Sequence, residues 1–478
     1  MIYLDQKPQI GVVLLLLFTA VASRFYGIWE WDLVNDEYFT ATKAYERYAS
    51  IINPAYYSLV VLTYKLFGDA EWLSRIPAFI LAVVSIPVLY FSWSRNIGRN
   101  AALFASGILI FSAWHLWFSQ YARFYIGVLL FSSLAYFFFF RAIYVEKLSH
   151  LIWAMVFSVL AVSFHVTAIF VPVSVAVAYL VIFLFMKKEE CVNFKNIKIY
   201  LVLCLIAGVL ITPVLYMVLD RWVATSQTWG YGAILIIPQL VKYIQVPIVI
   251  TALFGWLVVL RKDHVAATFF FAALVVPALF LIAASPFMAI SPSYAFYILP
   301  VVVLLAGIAC EEVRKHMAST HSFIVSAVTF FLLIATLLPS FASHFLDRTS
   351  FHFNSVVYFV DDNFQEGDRV LSFKPGFAFP DGRVIDTVPF ISFERDNTVD
   401  WRKELQPLLD VEGRTWIIAS SKRKPLASGL ERWLFCNAKL VWQKHAVRLD
   451  YEVNGYQIYI VSDKTKNNQE TSTCIQGG

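Results

Sequence analysis

Apolar runs recur along almost all of the first 340 residues, and they constrain the fold more than any other feature of the sequence. A helical crossing of a bilayer takes about 17–25 mostly apolar residues. Ile10–Tyr26, Arg75–Ser94, Ala101–Phe118, Phe124–Tyr144, Leu151–Phe164, Ala168–Met186, Ile197–Leu219, Ile234–Leu260, Ala266–Ala284, Tyr294–Ala309 and Phe323–Phe341 meet or approach that length. Leu151–Met186 is too long for one helix and is split here near His165, with Pro172 close to the turn. Only 15% of the residues are charged and 59% are hydrophobic, whereas a soluble domain carries about 25% charged residues. So few charges cannot cover a soluble surface. The composition specifies a multi-pass helical membrane protein and excludes nucleic-acid binding and cytosolic metabolism.

Pro54–Phe67 is apolar as well, but its 14 residues are short for a crossing and fit a re-entrant or interfacial helix. Excluding it and placing the N-terminus inside puts Arg95/Arg99, Arg141/Lys147, Lys187/Lys188/Lys195/Lys198, Arg261/Lys262 and Arg314/Lys315 on the cytoplasmic side. The expectation is therefore eleven spans plus one interfacial helix, with the N-terminus in and the C-terminus out of the cytoplasm of a cell (inner or plasma) membrane. A long first outer loop covers about residues 27–74. Residues 1–342 make the membrane domain. From 343 to 478, charges, Gly and Pro return with strand-like runs at Arg369–Phe373, Thr415–Ala419 and Tyr456–Val461 and helix-like runs at Ser355–Phe364 and Leu426–Phe435. This part reads as a small extracytoplasmic α/β domain. Five cysteines show no metal-ligand spacing. Cys436 and Cys474 share the polar tail and can pair if it lies outside the cytoplasm.

The chemistry-bearing residues gather at the outer ends of the spans. Trp29-Glu30-Trp31-Asp32-Leu33-Val34-Asn35-Asp36-Glu37-Tyr38 follows the first span. It reads either as a solvated acidic loop or as a partly desolvated carboxylate able to take a proton from a hydroxyl. Arg123, in Ser119-Gln120-Tyr121-Ala122-Arg123-Phe124-Tyr125, reads either as a snorkelling arginine among belt aromatics or as a phosphate clamp. His165 reads as a packed interfacial residue or a phosphate contact, and Tyr294 and Tyr297 as belt aromatics or ligand contacts. An anionic, lipid-borne substrate would explain an acid, an arginine, a histidine and tyrosines around one outer mouth. No P-loop or glycine-rich phosphate cradle is present. The competing class is a transporter or flippase for lipid-linked glycans, but such proteins carry internal repeats and midplane charges, and neither is evident here.

In series, these motifs resemble the GT-C superfamily of polyprenyl-phosphate-sugar glycosyltransferases, most closely the branch of protein O-mannosyltransferases and lipid A aminoarabinose transferases. The resemblance rests on Asn35-Asp36-Glu37, Asn53-Pro54-Ala55-Tyr56-Tyr57, the stretch Phe67 to Pro77, Ser119 to Tyr125, and Tyr294 with Pro300. It implies a GT-C fold and inverting transfer of a sugar from a polyprenyl-phosphate donor to a hydroxyl of a glycan, lipid or protein acceptor. Asp36 would be the general base, and Glu37 its partner in positioning or in contacting a divalent metal. Arg123 would stabilise the departing lipid phosphate, with Tyr125, Tyr56, Tyr57, His165 and Tyr294 completing the donor site. A phosphate diester already leaves well, so one base and electrostatic help suffice. Two positions depart from the family pattern: Ser293 stands where an arginine often precedes the late tyrosine, and Asn53 where the aminoarabinose branch has a lysine.

Overall fold

A computed structural model describes residues 9–29, 35–48, 53–186, 192–206, 233–286, 290–316, 322–346, 353–372, 386–387, 413–421, 433–434, 436–448 and 451–461, with isolated positions 189 and 216. The chain divides into two compact units, one of residues 1–29 with 40–342 and the other of residues 30–39 with 343–478.

The larger unit is helical. In chain order it contains α1 (Ile10–Phe25), most of α2 (Asn35–Arg47), α3 (Pro54–Phe67), a 3-10 turn (Glu71–Arg75), α4 (Ile76–Ile97), α5 (Arg99–Phe111), α6 (Ala113–Ser119), α7 (Tyr125–Tyr144) and α8 (Leu148–Phe164). After a 3-10 turn (Val166–Ile169) come α9 (Phe170–Phe185), α10 (residues 194–206), α11 (Ala233–Ile244), α12 (Val246–Lys262), α13 (His264–Ala284), a 3-10 turn (Pro292–Ile298), α14 (Leu299–His316) and α15 (Ser322–Leu346). Among the described residues, five helices are long and apolar enough to cross a membrane, or seven if each of two bent pairs counts as one span. Shorter apolar helices lie at Ile10–Phe25, Leu148–Phe164 and Phe331–Phe345.

Local chemistry sets several of these boundaries. α3 opens on Pro54, whose missing N–H costs nothing at a helix start, and closes on Gly68 at φ 95°. Its 14 residues make about 21 Å of helix, less than a hydrocarbon core. α8 ends at Phe164, and His165 is extended (φ −159°, ψ 136°), so the long Leu151–Met186 run does divide at that histidine.

Two runs expected as single spans are broken. Ala101–Phe118 is the pair α5 and α6, bent by 63°, and Ile234–Leu260 is the pair α11 and α12, bent by 93°. The first break falls at Ser112, whose backbone is extended and whose hydroxyl accepts from the His115 N–H as the cap of α6. The second falls at Gln245, a non-glycine residue at φ 79°, two positions before Pro247.

α14 is the buried centre of this unit and packs on α5 and α12. A Cβ at Gly307 would overlap the Ala101 carbonyl, and one at Gly255 the Leu305 carbonyl, so glycine is what lets these helices touch. Close backbone approach is a main source of helix association in lipid, where burial of apolar surface gives little.

The second unit contains a five-stranded sheet of β1 (Arg369–Ser372), β2 (Asp386–Thr387), β3 (Thr415–Ser421), β4 (Lys439–Arg448) and β5 (Tyr451–Val461), ordered β2-β1-β3-β5-β4. β1 runs parallel to β2 and β3, and β5 antiparallel to β3 and β4. α16 (Phe353–Asn363) lays Phe359 against Trp416 and Trp442, at 6.4 and 6.0 Å between ring centroids. Asp368 ties the start of β1 to β3 by accepting from Arg414 (2.6 Å) and from the Trp416 indole (2.9 Å). Cys436 is disulfide-bonded, while Cys204 and Cys310 are free thiols. Most of the helix expected at Leu426–Phe435 lies outside the described residues.

Candidate active site

The break between α5 and α6 determines where the site residues stand. Ending α5 at Phe111 leaves its last carbonyls short of helical partners, that of Leu109 with a long 3.4 Å bond from the Ser112 N–H, and a lipid-embedded chain cannot leave such groups bare. Arg24, fully buried at the end of α1, supplies the donors. Its Nη2 donates to the carbonyls of Ile110 (2.8 Å) and Leu109 (3.3 Å) and lies 3.1 Å from Nδ1 of the buried His115. His115 Nε2 is in turn 3.0 Å from the Ser85 hydroxyl on α4. The brace is reciprocal. Gln120, just after α6, donates its amide to the carbonyls of Arg24 and Tyr26, both at 2.8 Å, where α1 ends. Among the described residues, no carboxylate lies within ion-pair reach of Arg24.

This brace fixes the short turn Tyr121–Phe124 that carries Arg123 into α7. The Arg123 guanidinium is half-buried, with its carbon 5.0 Å above the Phe124 ring. Phe124 stacks on His165 (4.1 Å, 13°), and His165 stacks on Tyr294 (5.3 Å, 27°). The Thr167 hydroxyl is 2.7 Å from His165 Nδ1 and donates to the Tyr294 carbonyl at 3.3 Å. Three segments far apart in sequence thus meet in one layered stack. Burial, reinforced by the Arg123 charge, pushes the His165 imidazole down to about 3, so the ring is neutral at physiological pH and Arg123 is the cation of the stack. Tyr125 lies beneath, stacked on Phe118 at 4.0 Å. Gly127 permits the approach of α8, because a Cβ there would overlap the Phe164 ring.

Tyr56 and Tyr57 are both buried on α3. The Tyr56 hydroxyl donates to the Ser74 carbonyl at 3.0 Å, which ties α3 to the turn before α4. Asp36 and Glu37 occupy the first turn of α2, in the segment 30–39 that groups with the second unit. Glu37 is buried; the Asp36 side chain lies outside the described residues. Among the described residues, no three His, Cys, Asp or Glu side chains are grouped as metal ligands.

The residues that sequence reasoning passed over are Arg24, His115 and Ser85. The available signal was Arg24 itself, a basic residue set at the end of an apolar run.

Residues 53–217, which hold Tyr56, Tyr57, Arg123, Tyr125 and His165, match a family model described as dolichyl-phosphate-mannose-protein mannosyltransferase. Over that stretch, about a third of the chain, it is similar to that family. The family is one of polyprenyl-phosphate-sugar-dependent glycosyltransferases. In fold the chain is similar to ArnT from Cupriavidus metallidurans in the apo state, at 15% identity and a TM-score of 0.55, over 94% of this chain and 98% of that one. It is likewise similar to ArnT from the same organism bound to undecaprenyl phosphate, at 14% identity and a TM-score of 0.50, over 95% and 99% of the two chains. No curated protein matches the chain by sequence. The stack described above lies in the matched segment except for Tyr294.

Proposed function

We propose that the chain is an inverting glycosyltransferase that moves a sugar from a polyprenyl-phosphate donor to a hydroxyl of a glycan, lipid or protein at the outer face of a cell membrane. The observation that carries this reading is the Arg123 stack. It is a half-buried guanidinium held against aromatic rings beside a neutral histidine, inside the stretch that matches the mannosyltransferase family. A planar, permanently charged fork on a rigid apolar bed suits a lipid phosphate, which must be neutralised as it departs. The fold likeness to a protein solved with undecaprenyl phosphate fits a donor of that class.

In this reading Asp36 removes the acceptor proton, Glu37 positions it or contacts a divalent metal, and Arg123 takes up the charge growing on the phosphate. Tyr125, Tyr56, Tyr57, His165 and Tyr294 shape the donor site. The chain crosses the membrane eleven times with its N-terminus inside; residues 1–342 are the catalytic membrane domain and 343–478 an outer domain. The disulfide at Cys436 suits an oxidising compartment and supports that orientation.

The test is transfer by protein reconstituted in liposomes with a polyprenyl-phosphate sugar and a hydroxyl acceptor. Asp36→Asn is expected to cost about 10²–10⁴-fold in rate, the range of a general base. Arg123→Gln is expected to cost about 10²–10³-fold. Undiminished transfer by Asp36→Asn rejects the base. The two bent helix pairs are a feature that transporters also use. Lipid flipping by wild type without any transfer would favour that reading instead.

A further inference from the structure

The ends of α4 and α7 far from Arg123 hold a second cluster of bases that the transfer reaction does not use. Arg141 stands sixteen residues along α7 from Tyr125, or about 24 Å by helical rise. There α1, α4, α7 and α8 enclose an open groove of about 570 Å³. Its walls are apolar, with Phe91, Phe137 and Phe138 prominent, and its polar lining includes Arg95, Arg141 and His150. Among the described residues no carboxylate lines it. Arg95 and Arg141 line the same groove from neighbouring helices. Each rests beside an aromatic ring of its own helix, Arg95 at 5.8 Å from Phe91 and Arg141 at 5.9 Å from Phe137. Among the described residues neither makes an ion pair, and the buried Nε of Arg141 and Nδ1 of His150 have no hydrogen-bond partner.

Two like charges lining one apolar groove are costly unless something anionic joins them. The remaining chemistry is that of an amphiphile, with hydrocarbon along the aromatic wall and negative charge between the two guanidinium groups. We propose that this groove is a binding site for an acidic membrane phospholipid, its phosphate held by Arg95 and Arg141 with a hydrogen bond from His150. Basic pockets between transmembrane helices recognise anionic headgroups in this way. The bound lipid would complete the seam among α1, α4, α7 and α8, at the opposite end of α4 and α7 from the Arg123 stack. The site does not depend on the identity of the sugar donor.

Native mass spectrometry of the full chain in detergent tests the proposal, with phosphatidylglycerol and phosphatidylcholine of identical acyl chains as probes. Wild type is expected to retain phosphatidylglycerol in preference. R95Q/R141Q is expected to lower its apparent affinity about tenfold while leaving phosphatidylcholine unchanged. R95K/R141K keeps both charges and is expected to retain most of the preference, which separates lost charge from misfolding. Millimolar glycerol phosphate should leave the bound phosphatidylglycerol in place. Equal phosphatidylglycerol binding by wild type and R95Q/R141Q overturns the site, as does displacement by phosphatidylcholine or by glycerol phosphate.

Discussion

The two broken helices solve one problem in opposite ways. Both interrupt a long apolar run, by 63° between α5 and α6 and by 93° between α11 and α12. The first break adds a distant brace to its local Ser112 cap: Arg24 reaches the Leu109 and Ile110 carbonyls from 85 and 86 positions away. The second is satisfied on the spot. The Gln245 N–H donates to Val241, its carbonyl accepts from Ile248 and Val249, and Pro247 has no N–H to place. What the second break spends instead is backbone strain, a non-glycine residue at φ 79°, together with a buried Gln245 Oε1 that has no hydrogen-bond partner. Trp114 on α6 and Tyr243 on α11 stack at 5.3 Å, so the two bends share a contact yet draw on different sources of stability. A break braced from afar ties separate helices into one frame, and that frame carries Arg123. A break satisfied locally only redirects its own chain.

Removing the distant brace is expected to have the largest effect. Arg24→Met strips donors from the Ile110 carbonyl and from His115 and leaves Leu109 with only the 3.4 Å bond from the Ser112 N–H, and unmet buried groups cost about 1–3 kcal/mol each. A loss of about 3 kcal/mol is expected by denaturant titration in detergent micelles. The carbonyls belong to the backbone, so no apolar replacement can remove them along with the arginine. Transfer activity should fall with it, because the Arg123 turn loses its support. A variant as stable as wild type would show that the first break, like the second, is satisfied locally. Gln120→Ala tests the reciprocal half and is expected to cost about 1–2 kcal/mol, since only two carbonyls at the end of α1 lose a donor. If Gln120→Ala matched Arg24→Met, the brace would act as one cooperative unit.

This contrast also explains what the sequence could disclose. α3 was legible to the residue because its start and stop are local, a proline at one end and a glycine at the other. The split at His165 was legible because the run was too long for one helix. The bends were not. Ser112 and Gln245 are ordinary residues in apolar surroundings, and nothing nearby announces that Arg24 will serve α5. β4 was missed for a related reason: in Lys439–Arg448, polar residues interrupt any alternation, and the strand exists through its pairing with β5. At the site, the grouping of Arg123, His165 and Tyr294 was expected from the sequence, but their stacking order was not. The engagement of Tyr56 with Ser74 was hidden because it depends on where the chain returns after Gly68.

The smallest effect should come from Gln245, and there the sign matters more than the size. Glycine adopts φ 79° without a steric penalty, and replacing Gln245 also removes the unpartnered Oε1. Relief of the strain is worth about 1–3 kcal/mol. Glycine gives back about 0.5–1 kcal/mol through its larger loss of backbone freedom on folding. The net expectation for Gln245→Gly is a gain of about 1 kcal/mol, read as a higher denaturation midpoint in the same micelles, while Gln245→Val should lose stability because a β-branched residue resists positive φ. Transfer activity should hardly move in Gln245→Gly, since the peptide bonds at this break need no side chain. A loss of stability in Gln245→Gly would mean that the glutamine side chain braces the bend after all, and the two breaks would then be variants of one device.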